Sequence, residues 1–248
     1  MLNIIVLARQ VKLETNSAAG KPEISETEIK CDFTAVEAAV RLKEILDCRI
    51  TALILGYEKT AVRQARDAVA MGCDSARVIC AEQLEELDSW SCASVFARSL
   101  SGERYDLLMS GGFPVDADTV PIGLLTASML KLPVVTSVDR ITAADENFAV
   151  IERKEGDMVQ RLKVNLPCFA SVLPHPEAPV YKTVPGINKA YSIEIGQERL
   201  DPAWNENKAV VSDSLKTEAR KRGTILTAVS TEEAVSAMAE KITAAHLM

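Results

Sequence analysis

The feature that most constrains this fold is the alternation of short apolar runs with amphipathic helical patterns through the first 138 residues. Apolar runs predict strands at Asn3–Ala8, Ile50–Leu55, Ala76–Cys80, Tyr105–Met109 and Pro133–Val138, with helices over 35–46, 59–71, 90–100 and 124–130 between them. Asp32 is a candidate cap for the first helix. Strands that alternate with helices form a parallel sheet covered on both faces. We therefore predict an α/β fold with a doubly wound, mostly parallel sheet.

The pattern changes after residue 145. Phe148–Arg153 and Met158–Val164 flank a short polar turn and predict an added β-hairpin. The apolar run Cys168–Leu173 is predicted to return to the sheet.

Beyond Pro174 the chain carries several prolines and little periodicity until Thr231, which predicts an extended C-terminal arm. An amphipathic helix with an acidic first turn is predicted from Thr231. We expect an α/β nucleotide-binding domain over residues 1–190, and an arm and helix over residues 191–248 that pack on a partner subunit.

Composition narrows the function. Net charge is −7, which disfavours a nucleic-acid-binding protein, because such proteins need a basic face. No apolar run approaches the length that spans a bilayer, so we expect a cytoplasmic protein without membrane insertion. The six cysteines form no Cys-x-x-Cys pair and only two histidines are present, which predicts neither a metal centre nor a histidine-based catalytic site.

The segment Ser110–Gly123 is the strongest candidate for a binding site. Gly111 and Gly112 follow a predicted strand, where glycine lets the backbone approach a ligand closely. Asp116 or Asp118 can cap the next helix, and a helix N-terminus is an anion-binding site. The segment predicts a phosphate-bearing ligand, with an ordinary strand-to-helix turn as the alternative.

Three stretches of the sequence form distinctive motifs: Val36–Glu44, Ala70-Met-Gly-Cys-Asp74 and Asp116-Ala-Asp-Thr-Val-Pro-Ile-Gly123. Their order and content resemble the electron-transfer flavoprotein beta subunit family. Also similar are Lys131–Thr136, Ile151–Arg153 and Pro185–Ala190. The resemblance runs through most of residues 3–194 and implies that this chain is a divergent member of the family.

The resemblance implies a Rossmann-like, adenine-nucleotide-binding fold and an electron carrier without catalytic residues of its own. The chain would form a heterodimer with an alpha subunit that carries FAD. The complex would pass electrons between flavoenzymes, such as acyl-CoA dehydrogenases, and an acceptor. The beta subunit would hold AMP or a second FAD. The Asp-x-Asp-Thr box resembles members with a second FAD, whereas Pro121 and Phe113 depart from them, so both ligands stay open.

The resemblance also implies the residues of the site. Gly111, Gly112, Asp116, Asp118 and Thr119 would surround the phosphate, Leu7, Ala8 and Leu55 would lie near the adenosine, and Lys30, Cys31 and Asp32 would close the other side. Arg9, Gly56, Phe113, Pro114, Val115, Val120 and Gly123 complete the predicted cofactor-binding set.

Val184 falls where the family presents an apolar anchor to its dehydrogenase partners, and we expect it on a proline-stiffened loop. Two alternatives stay open. One is a stand-alone adenine-nucleotide-binding protein. The other is a ligase or pyrophosphatase, because Ser110-Gly-Gly resembles the start of a pyrophosphate-binding loop.

Overall fold

The structure, a computed structural model, describes residues 1–12, 29–112, 122–174, 179–204 and 230–244. The chain divides into two compact units, Met1–Val210 and Val211–Met248. The first unit contains, in chain order, β1 (Leu2–Lys12), β2 (Ile29–Cys31), α1 (Thr34–Leu42), β3 (Cys48–Gly56), α2 (Glu58–Met71), β4 (Ser75–Cys80), α3 (Ser89–Ser99), β5 (Leu107–Gly111), α4 (Ile122–Met129), β6 (Val134–Ala144), β7 (Phe148–Glu155), β8 (Met158–Asn165), β9 (Cys168–Val172), α5 (Val184–Ser192) and β10 (Gly196–Arg199). The second unit contains α6 (Thr231–Ala244).

The first unit is built on one sheet with the strand order β10-β4-β3-β1-β5-β9-β6-β7-β8, and β2 pairs with the end of β1. The strands from β10 to β6 pair in parallel, whereas β6, β7 and β8 form an antiparallel meander. The predicted parallel sheet, the return of the chain through β9 and the added hairpin are confirmed.

Helices cover both faces of the sheet. Val36 of α1, Ala65 of α2 and Ala190 of α5 belong to one buried cluster. Phe96 of α3 and Ala127 of α4 belong to the other. The helix after β1 and the helix after β5 therefore lie on opposite faces, although β1 and β5 are neighbours. The boundary between the neighbouring strands β1 and β5 is the topological switch point, at which doubly wound proteins bind ligands.

The start and end of α1 differ from the prediction. Phe33 is the N-cap, and Asp32 instead accepts a hydrogen bond from Thr34 N–H through Oδ1 at 2.8 Å. The helix ends at Leu42 because the next N–H groups donate to carbonyls three residues back. Ile45 is consequently exposed.

The segment after Pro174, whose weak periodicity predicted an extended arm, contains regular elements in its described part. It contains α5, whose N-cap Thr183 accepts from Gly186 N–H at 3.1 Å. It also contains β10, which pairs in parallel with β4. The first unit consequently continues beyond residue 190, where the sequence suggested a boundary. Val184 is the first residue of α5 and lies in a helix, not on the loop we expected.

The second unit contains the helix predicted from Thr231. Ser230 Oγ accepts from Glu233 N–H at 3.2 Å, and Glu232 and Glu233 lie in the first turn. None of the helices in the described part of the chain is long and apolar enough to cross a membrane.

Candidate site at the switch point

The carboxyl ends of β1 and β5 lie side by side at the switch point, and we call the edge of the sheet above them the switch-point crevice. The two strands pair in parallel from Ile4 and Leu107 onward, and β1 continues to Lys12 alongside β2. The segment that follows β2 begins with Asp32. The structure therefore brings together three parts of the predicted site: Ala8–Arg9, Asp32 and Gly111–Gly112.

Asp32 packs directly against Gly111. A Cβ atom on Gly111 would lie 1.8 Å from Asp32 Oδ2, so only glycine leaves room for the carboxylate. The bond from Thr34 N–H to Asp32 Oδ1 holds the side chain in this position. A carboxylate accepts hydrogen bonds from hydroxyl groups but repels phosphate. Asp32 therefore suits the sugar part of a ligand.

Gly112 and Gly123 make their close contacts with the protein itself. Gly112 N–H donates to the Val172 carbonyl oxygen at 2.7 Å, and a Cβ on Gly112 would lie 2.8 Å from that oxygen. A Cβ on Gly123 would lie 2.2 Å from Ser110 Oγ. Both glycines thus allow tight packing at the ends of β5 and α4. The predicted residues Phe113, Pro114, Val115, Asp116, Asp118, Thr119 and Val120 lie outside the described residues.

The predicted adenosine contacts are core residues. Leu7 and Leu55 are buried with the α3 face of the sheet, and Ala8 is buried with the α1 face. Arg9 pairs with Leu55 along the parallel ladder. Lys30 and Cys31 pair through β2 with the end of β1. In this arrangement Leu7, Leu55 and Ala8 can offer a ligand only their backbone at the edge of the crevice.

Gln10 organises the same edge and was absent from the predicted site. Its side chain is 0% exposed. Nε2 donates to Gln64 Oε1 at 2.7 Å, and Oε1 accepts from Tyr57 N–H at 2.8 Å and from Thr60 Oγ1 at 3.1 Å. A Cβ on Gly56 would lie 2.3 Å from Gln10 Oε1. The glycine at the end of β3 was the signal in the sequence for this close approach.

A cleft of about 360 Å³ lies next to this edge, at the ends of β3, β4 and β10. Tyr57 lines it and donates a hydrogen bond to Glu85. Burial, together with this bond, raises the pKa of Tyr57 to about 12. Tyr57 is therefore a neutral phenol at neutral pH.

Helix α5 forms a second candidate site, a surface for protein docking. Its inner side is anchored on α2. A Cβ on Gly186 would lie 2.2 Å from the Ala70 carbonyl oxygen, so the two helices touch through backbone. Arg66 donates to the Ala190 carbonyl and lies over the Tyr191 ring, 5.1 Å from its centroid. Lys182 pairs with Asp67 at 2.6 Å.

Asp74 adds a charged contact beneath the same helix. It pairs with Lys43 at 2.7 Å and lies 3.6 Å from Lys189 Nζ, and Ile50 N–H also donates to it. Burial alone would raise the pKa of Asp74, but the bonds from Lys43 and Ile50 outweigh it and hold the pKa below its usual value. Asp74 is therefore charged at neutral pH and ties α5 to the end of α1.

The outer face of this region exposes several large apolar side chains. Val184 is 73% exposed, and Ile187 and Tyr191 follow it at helical spacing, with Tyr181 just before the helix. A rigid helix that exposes apolar side chains suits docking, because few rotatable groups lose freedom on binding.

The fold and its switch-point crevice define a doubly wound α/β protein of the class that binds ligands at the carboxyl edge of its sheet. Residues 24–203 match the family model of the electron transfer flavoprotein domain. The chain therefore belongs to the electron transfer flavoprotein family, and the resemblance found in the sequence is confirmed.

Curated relatives agree with this family. The chain is 25% identical to the electron transfer flavoprotein subunit beta of Thermoanaerobacterium thermosaccharolyticum over the full length of both proteins. It is 30% identical to that of Bacillus subtilis over 68% of this chain and 66% of the relative. It is 26% identical, again over both full lengths, to the caffeyl-CoA reductase-Etf complex subunit CarD of Acetobacterium woodii.

Proposed function

We propose that this chain is the beta subunit of an electron transfer flavoprotein. It pairs with an alpha subunit that carries FAD, and the complex passes electrons between flavoenzymes, such as acyl-CoA dehydrogenases, and an acceptor. The observation that carries this proposal is the match, across the whole chain, of a relative named as a beta subunit. In this function the chain is an electron carrier and needs no catalytic residues of its own.

The proposed location is the cytoplasm. The described cysteines Cys48, Cys73, Cys80, Cys92 and Cys168 are free thiols, which supports a reducing compartment.

Co-expression with the alpha subunit of the same organism tests the proposed pairing of the two subunits. A yellow complex that an acyl-CoA dehydrogenase reduces supports the proposal, and an alpha subunit that purifies without this chain contradicts it.

The cofactors are proposed to be FAD on the alpha subunit and AMP or a second FAD in the crevice between β1 and β5. FAD supplies the electron-carrying chemistry when bound. Asp32, held against Gly111, is proposed to accept a hydrogen bond from a ribose hydroxyl. Gly112 N–H is already engaged by Val172. The donors to phosphate are therefore proposed to come from residues 113–121, which include Asp116, Asp118 and Thr119 as organisers of the loop.

We expect the purified chain to bind AMP or FAD with one ligand per chain, measured by isothermal titration calorimetry. Adenosine should bind at least about tenfold more weakly than AMP, because it lacks the charge-assisted hydrogen bonds to phosphate. Gly112→Val should weaken the binding of both ligands, because a side chain at this position would displace the end of β5 that borders the proposed phosphate position.

Gly112→Val also brings side-chain atoms against the Val172 carbonyl, so its folding must be checked by thermal unfolding. Gly196→Val is the matched control, because it places the same bulk at the start of β10, away from the crevice. If the wild type binds neither AMP nor FAD, or binds adenosine as tightly as AMP, the proposed phosphate site is wrong.

Docking to the dehydrogenase partner is proposed to use Val184. We expect Val184→Ala to slow electron transfer to the partner at limiting partner concentration by about threefold to tenfold, since an anchor at the centre of an interface typically contributes about 1 kcal/mol or more. Cofactor content should not change, because Val184 lies on the exposed face of α5.

Val159→Ala is the matched control for this experiment. Val159 is also an exposed valine, 61% accessible, but it lies on β8 at the far edge of the sheet. Transfer rates that are equal in Val184→Ala, Val159→Ala and the wild type would remove Val184 from the docking surface.

A further inference from the structure

A single buried side chain connects the segments that border the switch-point crevice. Gln10 makes three hydrogen bonds through its amide, to Gln64, Tyr57 and Thr60, and all three partners belong to the start of α2 or its first turns. Its amide oxygen also fills the space that a side chain at Gly56 would take. The end of β3 and the N-terminus of α2 are therefore held in place from β1.

The backbone of Gln10 reaches the other side of the crevice. Gln10 pairs with Cys31 in the antiparallel ladder between β1 and β2. The next residue after Cys31 is Asp32, whose carboxylate lies against Gly111 at the end of β5. The side chain of Gln10 thus fixes β3 and α2, while its backbone aligns the segment that leads to Asp32.

The bonds of Gln10 also decide which helix N-terminus is available to a ligand. Its Oε1 occupies the N-terminus of α2, where it accepts from Tyr57 N–H. An anion that accepted from Tyr57 N–H would displace this buried amide, and a buried group that loses its partner is costly. The network therefore disfavours a phosphate at this N–H of α2.

We infer that Gln10 is a positioning residue for the adenine nucleotide: through Gln64, Thr60 and Tyr57 it sets the distance between β1, β3 and α2 at the crevice. This inference rests on the proposed nucleotide binding. Gln10 acts through the segments it holds, and its side chain is buried beneath them.

The test uses the full chain and AMP as the titrated ligand. Gln10→Met keeps the volume but removes all three bonds, and we expect AMP to bind at least about tenfold more weakly. Gln10→Glu keeps both acceptor bonds, and because burial favours the neutral form of a carboxyl, its O–H donates to Gln64 Oε1 in place of the amide. It should bind AMP within about threefold of the wild type.

Two further variants separate positioning from general stability. Ser75→Ala removes a side-chain hydrogen bond to Thr51 at the opposite end of β3 and should leave AMP binding unchanged. Thr60→Val removes one donor to Gln10 and provides a milder test if Gln10→Met does not fold. Each variant is compared at its own measured thermal stability.

A loss of AMP binding in Gln10→Met or Thr60→Val that exceeds the loss in Ser75→Ala, with recovery in Gln10→Glu, supports the inference. AMP binding that is equal in the wild type, Gln10→Met and Thr60→Val overturns it while leaving the proposed nucleotide site intact. A wild type that binds no adenine nucleotide overturns the proposed site itself and this inference with it.

Discussion

Gly186→Ala is expected to lower the free energy of unfolding by about 2–3 kcal/mol, because it forces a methyl group into a packed contact. The added Cβ would lie 2.2 Å from the Ala70 carbonyl oxygen and 2.9 Å from Thr183 Oγ1. The carbonyl belongs to the backbone of α2 and cannot turn aside, so α5 must move away from α2. Thermal unfolding should show a midpoint lower by roughly 5–10 °C.

The matched control for this variant is Gly196→Ala. There the new Cβ would meet Arg77 Cγ at 3.3 Å, and that long, partly exposed side chain can shift. Gly196→Ala should lower the free energy of unfolding by less than about 1 kcal/mol. Since α5 carries Val184, Gly186→Ala should also slow electron transfer to the partner. Equal stability of the two variants would show that α5 is not held by its backbone contact with α2.

Deleting residues 231–248 is expected to abolish co-purification with the alpha subunit while the sheet-containing unit stays folded. Considered by itself, α6 buries none of its side chains, and Val235 and Met238 are more than half exposed. A single 14-residue helix is marginal in water without a surface to pack on. We therefore expect its apolar face to lie on the partner subunit, and gel filtration of the co-expressed chains measures the loss.

Point variants test the same surface without shortening the chain. Val235→Ser with Met238→Ser removes the apolar face and should weaken the complex. Glu232→Ser with Glu240→Ser changes two exposed polar positions of the same helix and should leave the complex intact. A complex that survives the deletion would show that α6 is not part of the subunit interface.

The regular elements that bury a whole face could be predicted from the sequence. The strands β1, β3, β4, β5 and β6 and the helices α2, α3 and α4 were predicted, because each carries enough apolar residues at the right period. The hairpin of β7 and β8 was recognisable for the same reason, with Gly156 in its turn at a φ of 60°. Strand β2 was not predicted, and β1 and β6 continue to Lys12 and Ala144, beyond their predicted ends.

Helix α5 and strand β10 could not be predicted in this way. Among its described residues α5 buries only Ala190, and Gly186 near its start has low helix propensity. Every residue of β10 is exposed. These elements form because of their neighbours: α5 packs on α2 through Gly186, and β10 completes its hydrogen bonds along β4.

The candidate site likewise combines features that the sequence predicts with contacts that only the tertiary structure reveals. The sequence by itself determined the class of fold and the family, because local periodicity and short motifs are properties of consecutive residues. Only the tertiary structure decided that Asp32 lies on Gly111 and that Gln10 holds α2. Those contacts join residues far apart in the chain, and side-chain packing across the sheet edge selects them.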